Sequence, residues 1–215
     1  MRLSTEEKRH NKIIAEAARL EGMLYFERRY AQYARICGVD EAGAGPLAGP
    51  VAAAAVIMPA GLTIPGINDS KKLSEKRRKD LRGRILEAAI AYNIAFICNN
   101  EIDEINILQA RLKAMAQAVA NLDPPADFAL TDGKSPDLGI PCAGIDQGDA
   151  KSHSIACASI LAKVARDELM LEYHALYPQY GFARHKGYGT KEHMEAIRAY
   201  GLSPIHRRSF CSSFG

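Results

Sequence analysis

The sequence predicts an α/β protein with a mixed sheet flanked by helices. Three observations lead there. Ile36-Cys37-Gly38-Val39 and the run at 50–58 are apolar stretches of strand length, joined by a Gly/Ala turn. Further strand-length runs follow, with segments of helical apolar spacing between them. No internal repeat or low-complexity tract competes with this pattern.

Residues 4–35 read as a helical arm. Ser4 and Glu7 make a capping box, and apolar residues recur at Ile13, Ile14, Ala17, Leu20 and Leu24. Residues 36–40 form the first strand. The second, 50–58, has too few polar residues to face water, so both its faces are expected to be buried. Residues 74–91 read as a helix that is basic on its exposed side, and 93–98 as a third strand. A helix over 101–122 carries Ile102, Ile105, Leu108, Leu112, Met115 and Val119 on one face and stops at Pro124-Pro125. Residues 128–131 make the fourth strand and 140–145 a short fifth. A long helix follows over about 154–173, with Ser152 or Ser154 as N-cap. The tail from Tyr177 mixes loop with a short helix around 191–200. Two parts are therefore expected: an N-terminal helical arm, 1–35, and one larger unit, 36–215, that includes a helical and loop C-terminal region.

A chain of 215 residues, 47% hydrophobic, is long enough for one sizeable core. The net charge of +3 hides local clustering. Residues 71, 72, 76, 77, 78, 79, 82 and 84 are Lys or Arg, against only Glu75 and Asp80. A basic segment and a carboxylate cluster in one chain suggest a polyanion held by one and cut at the other. The five cysteines form no C-x-x-C pair and read as reduced thiols of a cytoplasmic protein. No apolar run reaches 18 residues, so no membrane span is expected, and the charged N-terminus does not read as a secretory signal. The six histidines include no pair with compact ligand spacing to cysteine, which disfavours zinc.

The chemistry is expected at strand ends. Asp40 and Glu41 close the first strand just ahead of Gly43-Ala44-Gly45-Pro46. Adjacent acids repel, and a divalent cation is the usual reason to build such a place. Asp132 closes the fourth strand, and Asp149 lies just ahead of a helix. Each has a plainer reading: Asp-Gly is a common turn pair, and an acid before a helix suits the helix dipole. Asp40-Glu41 solves no packing problem. If these ends converge, four carboxylates face hard cations. Two ions about 3.5–4 Å apart can activate a water and stabilise the leaving oxygen of a phosphodiester. A dinucleotide-binding loop would need a helix right after the glycines, whereas Pro46 and a strand follow here.

Several blocks together resemble bacterial ribonuclease HII. They are Asp40-Glu41-Ala42-Gly43-Ala44-Gly45-Pro46-Leu47-Ala48-Gly49-Pro50-Val51, Asn68-Asp69-Ser70-Lys71-Lys72-Leu73, Thr131-Asp132-Gly133, and Gly148-Asp149-Ala150-Lys151-Ser152 running on to Arg166-Asp167. Tyr180-Gly181-Phe182, His185-Lys186-Gly187-Tyr188-Gly189-Thr190 and His206-Arg207-Arg208-Ser209-Phe210 complete the order. The resemblance implies a ribonuclease H-like mixed five-stranded sheet flanked by helices, with a helical C-terminal part. It implies an endonuclease that cuts the RNA strand of RNA–DNA hybrids. It also implies nicking of DNA duplexes 5′ to an embedded ribonucleotide, leaving 3′-hydroxyl and 5′-phosphate ends. Asp40, Glu41, Asp132 and Asp149 match the family's catalytic, metal-binding acids, with Mg²⁺ or Mn²⁺ as cofactor. Asp137, Asp146 and Asp167 are weaker ligand candidates; Asp167 suits a pairing with Lys163 one helical turn away.

For substrate binding the resemblance implies Gly43, Ala44, Gly45, Lys71 and Tyr188. Glycine backbone can approach a sugar closely enough to test its 2′-hydroxyl. Lys71 matches a phosphate contact, and Tyr188 matches a tyrosine that stacks on the deoxyribose beside the ribonucleotide. The family's usual loop is Gly-Arg-Gly, whereas Ala44 stands between the glycines here, so a guanidinium's phosphate or carboxylate contacts are lost. Weaker binding or altered junction preference is expected, with the chemistry kept. The implied partners are hybrids or ribonucleotide-containing duplexes, bound by a monomer. Rival readings are the sister family ribonuclease HIII, a non-catalytic hybrid-binding module, and a broader nuclease of related fold. The short arm and Pro46–Pro50 favour HII over HIII, and retention of four acids argues against a module without chemistry.

Overall fold

Five strands, β1 (Ile36–Ala42), β2 (Val51–Ile57), β3 (Ala91–Ile97), β4 (Phe128–Asp132) and β5 (Cys142–Ile145), form one sheet in the order β3-β2-β1-β4-β5. The computed structural model describes residues 4–134 and 136–212, so both outer ends of the expected arm and larger unit lie outside it. β1–β2 and β2–β3 are antiparallel, while β1–β4 and β4–β5 are parallel. β2 sits between two neighbours with helices over both faces, and every one of its residues is buried. That matches its unbroken apolar sequence.

The helices are α1 (Thr5–Gly22), α2 (Tyr25–Arg29), α3 (Glu75–Ala88), α4 (Asn99–Ala120), α5 (Gly148–Lys151), α6 (His153–Leu176), α7 (Phe182–His185) and α8 (Lys191–Tyr200). α4 packs on one face of the sheet, where Ile102, Ala110, Ala114, Met115 and Ala118 meet Val39, Val51, Ala53 and Ala55. α6 packs on the other, where Ala156–Val164 meet Ala54 and Val56 and the buried side of α3. Gly38 makes this possible: a Cβ there would lie 2.1 Å from the carbonyl carbon of Ser154. The start of α6 thus presses directly on β1.

The structure corrects two helices. The expected single helix over 4–35 is broken into α1 and α2, because Met23 and Leu24 turn into the core at 3% exposure each. Ile13 and Ile14, expected on a buried face, are 60% and 54% exposed, and α1 meets the body through Glu16, Arg19 and Leu20 near its C-terminal end. α4 begins two residues early and is interrupted at Asn106, with φ +64°. The Asn106 side chain accepts from Gln109 N at 3.2 Å and so caps the second part of the helix. The short helices α5 and α7 were not expected, and elsewhere the bounds differ by one to three residues. β3 starts at Ala91, β5 at Cys142, and α6 runs from His153 to Leu176 with Ser152 as its N-cap.

The basic segment is mostly neutralised by its own surroundings. Six of its eight cations have acidic partners: Lys71–Asp149, Lys72–Asp69, Arg77–Asp80, Arg78–Asp167, Lys79–Glu75 and Arg82–Glu168. Arg78 also donates to the Ser70 and Leu73 carbonyls, which ties α3 to the Lys71 turn. Much of the charge that suggested a polyanion surface therefore holds structure together.

Candidate active site

Parallel pairing brings the acids together. Val39 of β1 stands opposite Thr131 of β4, so Asp40 and Asp132 follow side by side at the ends of adjacent strands. β5 ends beside Asp132, and the chain turns through Gln147, at φ +56°, into α5. That turn delivers Asp149. Asp132 Oδ1 accepts from Gly148 N at 2.6 Å, which fastens α5 to the end of β4. One carboxylate oxygen each from Asp40, Asp132 and Asp149 lies within 4.8 Å of the others. Asp40 and Asp149 are 5% and 6% exposed.

Glu41 does not join that group. Side chains alternate along a strand, so Glu41 points to the opposite face from Asp40. There it pairs with Arg111 of α4. It still feels the cluster: burial raises the Glu41 carboxyl above its ordinary pKa, Arg111 opposes this, and Asp132 adds to it. Burial, then the Glu41 charge, push the Asp40 carboxyl well above the carboxylate range; Ser159, a hydrogen-bonding neighbour on α6, works the other way. Asp149 is raised by burial and by Asp132 and Asp69. Carboxylates gathered at this cost fit a hard cation, which relieves their repulsion with oxygen donors it prefers.

Lys71 reaches the same place. Its ammonium is 3.7 Å from Asp149 Oδ2, on a side chain 81% exposed. Partial burial opposes its charge, yet Asp149, Asp40, Asp69 and Asp132 together hold its pKa above the usual value. The Lys71 turn is itself set by Asp69, whose Oδ1 accepts from Lys71 N at 2.9 Å. Ser70 Oγ meets Ser159 Oγ at 2.9 Å, linking the turn to the helix beside Asp40.

The loop of Gly43, Ala44 and Gly45 leaves β1 right after the acids. Gly43 has φ +92°, and a Cβ there would fall 2.0 Å from Arg166 Nε. Two buried guanidiniums grip this loop by its carbonyls. Arg207 donates to Gly43 O at 2.6 Å, Ala44 O at 2.8 Å and Gly49 O at 2.9 Å. Arg166 donates to Pro50 O, Ala48 O and Lys186 O at 2.9–3.1 Å. Burial, with Arg166 alongside, lowers the Arg207 pKa to about 9. Leu47 N donates to Gly187 O at 2.8 Å, so the Tyr188 loop is stitched to the glycine loop. Tyr188 is 44% exposed, and its Cε1 lies 3.9 Å from where a Cβ on Gly45 would stand. Gly45 is exposed too. Gly45 and Tyr188 thus share one exposed surface, with Ala44 half-buried and Gly43 buried behind them.

Sequence reading missed Ser159, Asp69, Arg111, Arg166 and Arg207 as site residues. Arg166 and Arg207 carried one usable signal, each standing in an otherwise apolar or motif-bound stretch. Their partners are main-chain carbonyls, all but Lys186 O more than 100 positions away, which leave no mark in sequence. The expected Lys163–Asp167 pair is present at 2.7 Å.

Fold and site together define a carboxylate centre suited to divalent cations at the ends of the central strands β1 and β4, beside two stitched loops. The family model for ribonuclease HII matches residues 37–213. Ribonuclease HII of Ruminiclostridium cellulolyticum is 55% identical over 207 residues, covering 95% of this chain and 81% of that protein. The Geobacter sulfurreducens ribonuclease HII is 56% identical over 189 residues, covering 86% and 87%. Among solved structures, the ribonuclease H2 of Pyrococcus horikoshii superposes with a TM-score of 0.69 at 24% identity, covering 84% of this chain and 96% of that one. The chain belongs to the ribonuclease HII family, and its sheet is the ribonuclease H-like fold.

Proposed function

We propose that this chain, as a monomer in the cytoplasm, hydrolyses RNA strands of RNA–DNA hybrids and nicks DNA duplexes 5′ to embedded ribonucleotides, leaving 3′-hydroxyl and 5′-phosphate ends. Its family makes it a ribonuclease H, an enzyme that uses divalent metal. The observation that carries the site assignment is the convergence of Asp40, Asp132 and Asp149 within 4.8 Å. Glu41 stands behind them as a fourth acid, held by Arg111. These residues suit Mg²⁺ or Mn²⁺. Bound there, such ions supply Lewis acidity at the scissile phosphate, an activated water and counter-charge for the departing 3′-oxygen.

The remaining steps belong to the chain. Lys71 stands at the mouth of the cluster, where its exposed ammonium can take a substrate phosphate from its Asp149 contact. The main chain of Gly43, Ala44 and Gly45 approaches the ribose without side-chain interference and reads its 2′-hydroxyl. Tyr188 packs on the neighbouring sugar. Recognition of ribose beside the acids keeps all-DNA strands from the reaction.

The test is cleavage of a labelled duplex containing one ribonucleotide, with Mg²⁺ and with chelator, beside an all-DNA control. One nick 5′ to the ribonucleotide, only with metal, is expected. Cutting of the all-DNA duplex, or cleavage in chelator, contradicts the reading.

A further inference from the structure

Under Tyr188 lies a buried file of histidines that the steps above leave unused. His185, His193 and His206 are 8%, 0% and 2% exposed. His193 Nδ1 meets the Tyr188 carbonyl at 2.9 Å. His193 Nε2 meets His206 Nε2 at 3.0 Å. His206 Nδ1 meets Ser203 N at 2.9 Å and Ser203 Oγ at 2.7 Å.

The partners fix every proton in this chain. A carbonyl only accepts, so His193 Nδ1 carries a hydrogen. A backbone N–H only donates, so His206 Nδ1 is bare and its hydrogen sits on Nε2. His206 Nε2 therefore donates to the bare Nε2 of His193. One direction runs through the whole file, from Ser203 to Tyr188, and all four ring nitrogens are satisfied. A second proton on either ring would set two N–H groups against each other.

The surroundings lock the rings. His185 stacks on His193 with centroids 4.5 Å apart and planes 17° apart, and Phe182 meets His193 edge-on at 5.4 Å. His185 itself donates from Nε2 to Tyr180 O at 2.8 Å. The loop above needs such a restraint. Lys186 and Gly187 have φ of +51° and +87°, a sharp turn that lifts Tyr188 to the surface. The Tyr188 carbonyl takes Thr190 N and His193 Nδ1 as its two donors, which anchors the residue at its main chain while its ring stays exposed.

We propose that His193 and His206 are positioning residues for substrate recognition: their directed hydrogen-bond relay holds the Tyr188 main chain so that its ring meets the sugar beside the scissile bond. This rests on the reading of Tyr188 as a sugar contact and adds the device that aims it. Two apolar residues would fill the space equally well. A buried imidazole pair is retained only where each polar atom is matched, and here the matching ends on Tyr188.

Two similar-sized variants separate positioning from packing. His193→Asn keeps an N–H near the Nδ1 position, toward Tyr188. His193→Gln keeps an acceptor toward His206 and loses the Tyr188 bond. Steady-state kinetics with Mg²⁺ on a duplex containing one ribonucleotide are expected to give near-normal KM for His193→Asn. For His193→Gln, KM rises about fivefold, the size of one neutral hydrogen bond, with kcat within about twofold. In a Tyr188→Ala background, His193→Gln is expected to add less than about twofold, since its effect runs through Tyr188. His206→Asn, which accepts from Ser203 and leaves the His193–Tyr188 bond in place, should raise KM by less than His193→Gln does, and His193→Met, which loses that bond, serves if His193→Gln does not fold. Equal defects in His193→Asn and His193→Gln, a fall in kcat at constant KM, or full additivity with Tyr188→Ala overturn the relay. If Tyr188→Ala raises KM and neither relay variant does, the relay alone fails. If Tyr188→Ala leaves KM unchanged, the sugar contact fails and the relay with it.

Discussion

Asp40 and Glu41 are neighbours in sequence yet face opposite sides of the sheet, one into the carboxylate group and one toward Arg111. Single-atom changes test such a site best. Asp132→Asn keeps an oxygen for Gly148 N, so its turn survives. It is expected to bind hybrid within about twofold of the parent in a mobility-shift assay while cleavage falls by at least about a thousandfold. Near-normal turnover would remove Asp132 from the chemistry. Ala44→Arg restores a cation between two glycines and is expected to tighten duplex binding, most at low salt. Equal affinity of both proteins across several salt concentrations would refute that. At this scale Asp40 was legible because an acid closing an apolar strand has no packing use, while Asp132 and Asp149, each open to a turn or helix-dipole reading, stood out through the motif resemblance. The sequence hid Arg111, Arg166 and Arg207, whose partners come from other elements and are partly main chain.

The elements decide how close the acids come, and α6 is central because it presses on β1 at Gly38 and carries Ser159 and Arg166. Its start is held from the arm. Glu27 Oε1 accepts from Ser154 N at 3.0 Å, Ser154 Oγ at 2.8 Å and Ser152 Oγ at 2.7 Å. This is an N-terminal cap supplied by another helix, in a place where negative charge is favoured. Glu27→Ala is expected to lower unfolding free energy by about 1–3 kcal/mol in urea titration. An unchanged midpoint would show that the arm does not support α6. Strand runs and the helical stretch at 191–200 were legible from periodicity alone. The break after Gly22 and the interruption at Asn106 were not. At Asn106 one residue's backbone conformation overrides an apolar pattern that continues through it, and after Gly22 the burial of Met23 and Leu24 does so.

For the whole molecule, stability and function pull on the same buried groups. His153 is 1% exposed, and its Nε2 accepts from Ile64 N at 3.0 Å, a role open only to the neutral ring. Burial, with Arg19 nearby, lowers its pKa to about 4. The unfolded chain, with an ordinary histidine pKa of about 6.5, binds the proton first. The stabilisation is therefore complete above about pH 6.5 and is lost as pH falls toward 4, by up to about 3 kcal/mol. The raised carboxylates act in the opposite sense, so the readout is a comparison. His153→Gln, which keeps an acceptor, is expected to lose less in Tm between pH 7 and pH 5 than the parent; parallel curves would contradict this.

The carboxylate group is the reverse case, a charge concentration that destabilises the metal-free fold and is relieved by a cation. Melting temperatures of the parent and Asp40→Asn, each in chelator and in Mn²⁺, test that claim most directly. The parent is expected to melt lower than Asp40→Asn in chelator and to rise with Mn²⁺, while the variant stays level and does not cleave hybrid. An Asp40→Asn protein that melts at or below the parent in chelator and gains as much from Mn²⁺ would contradict the account.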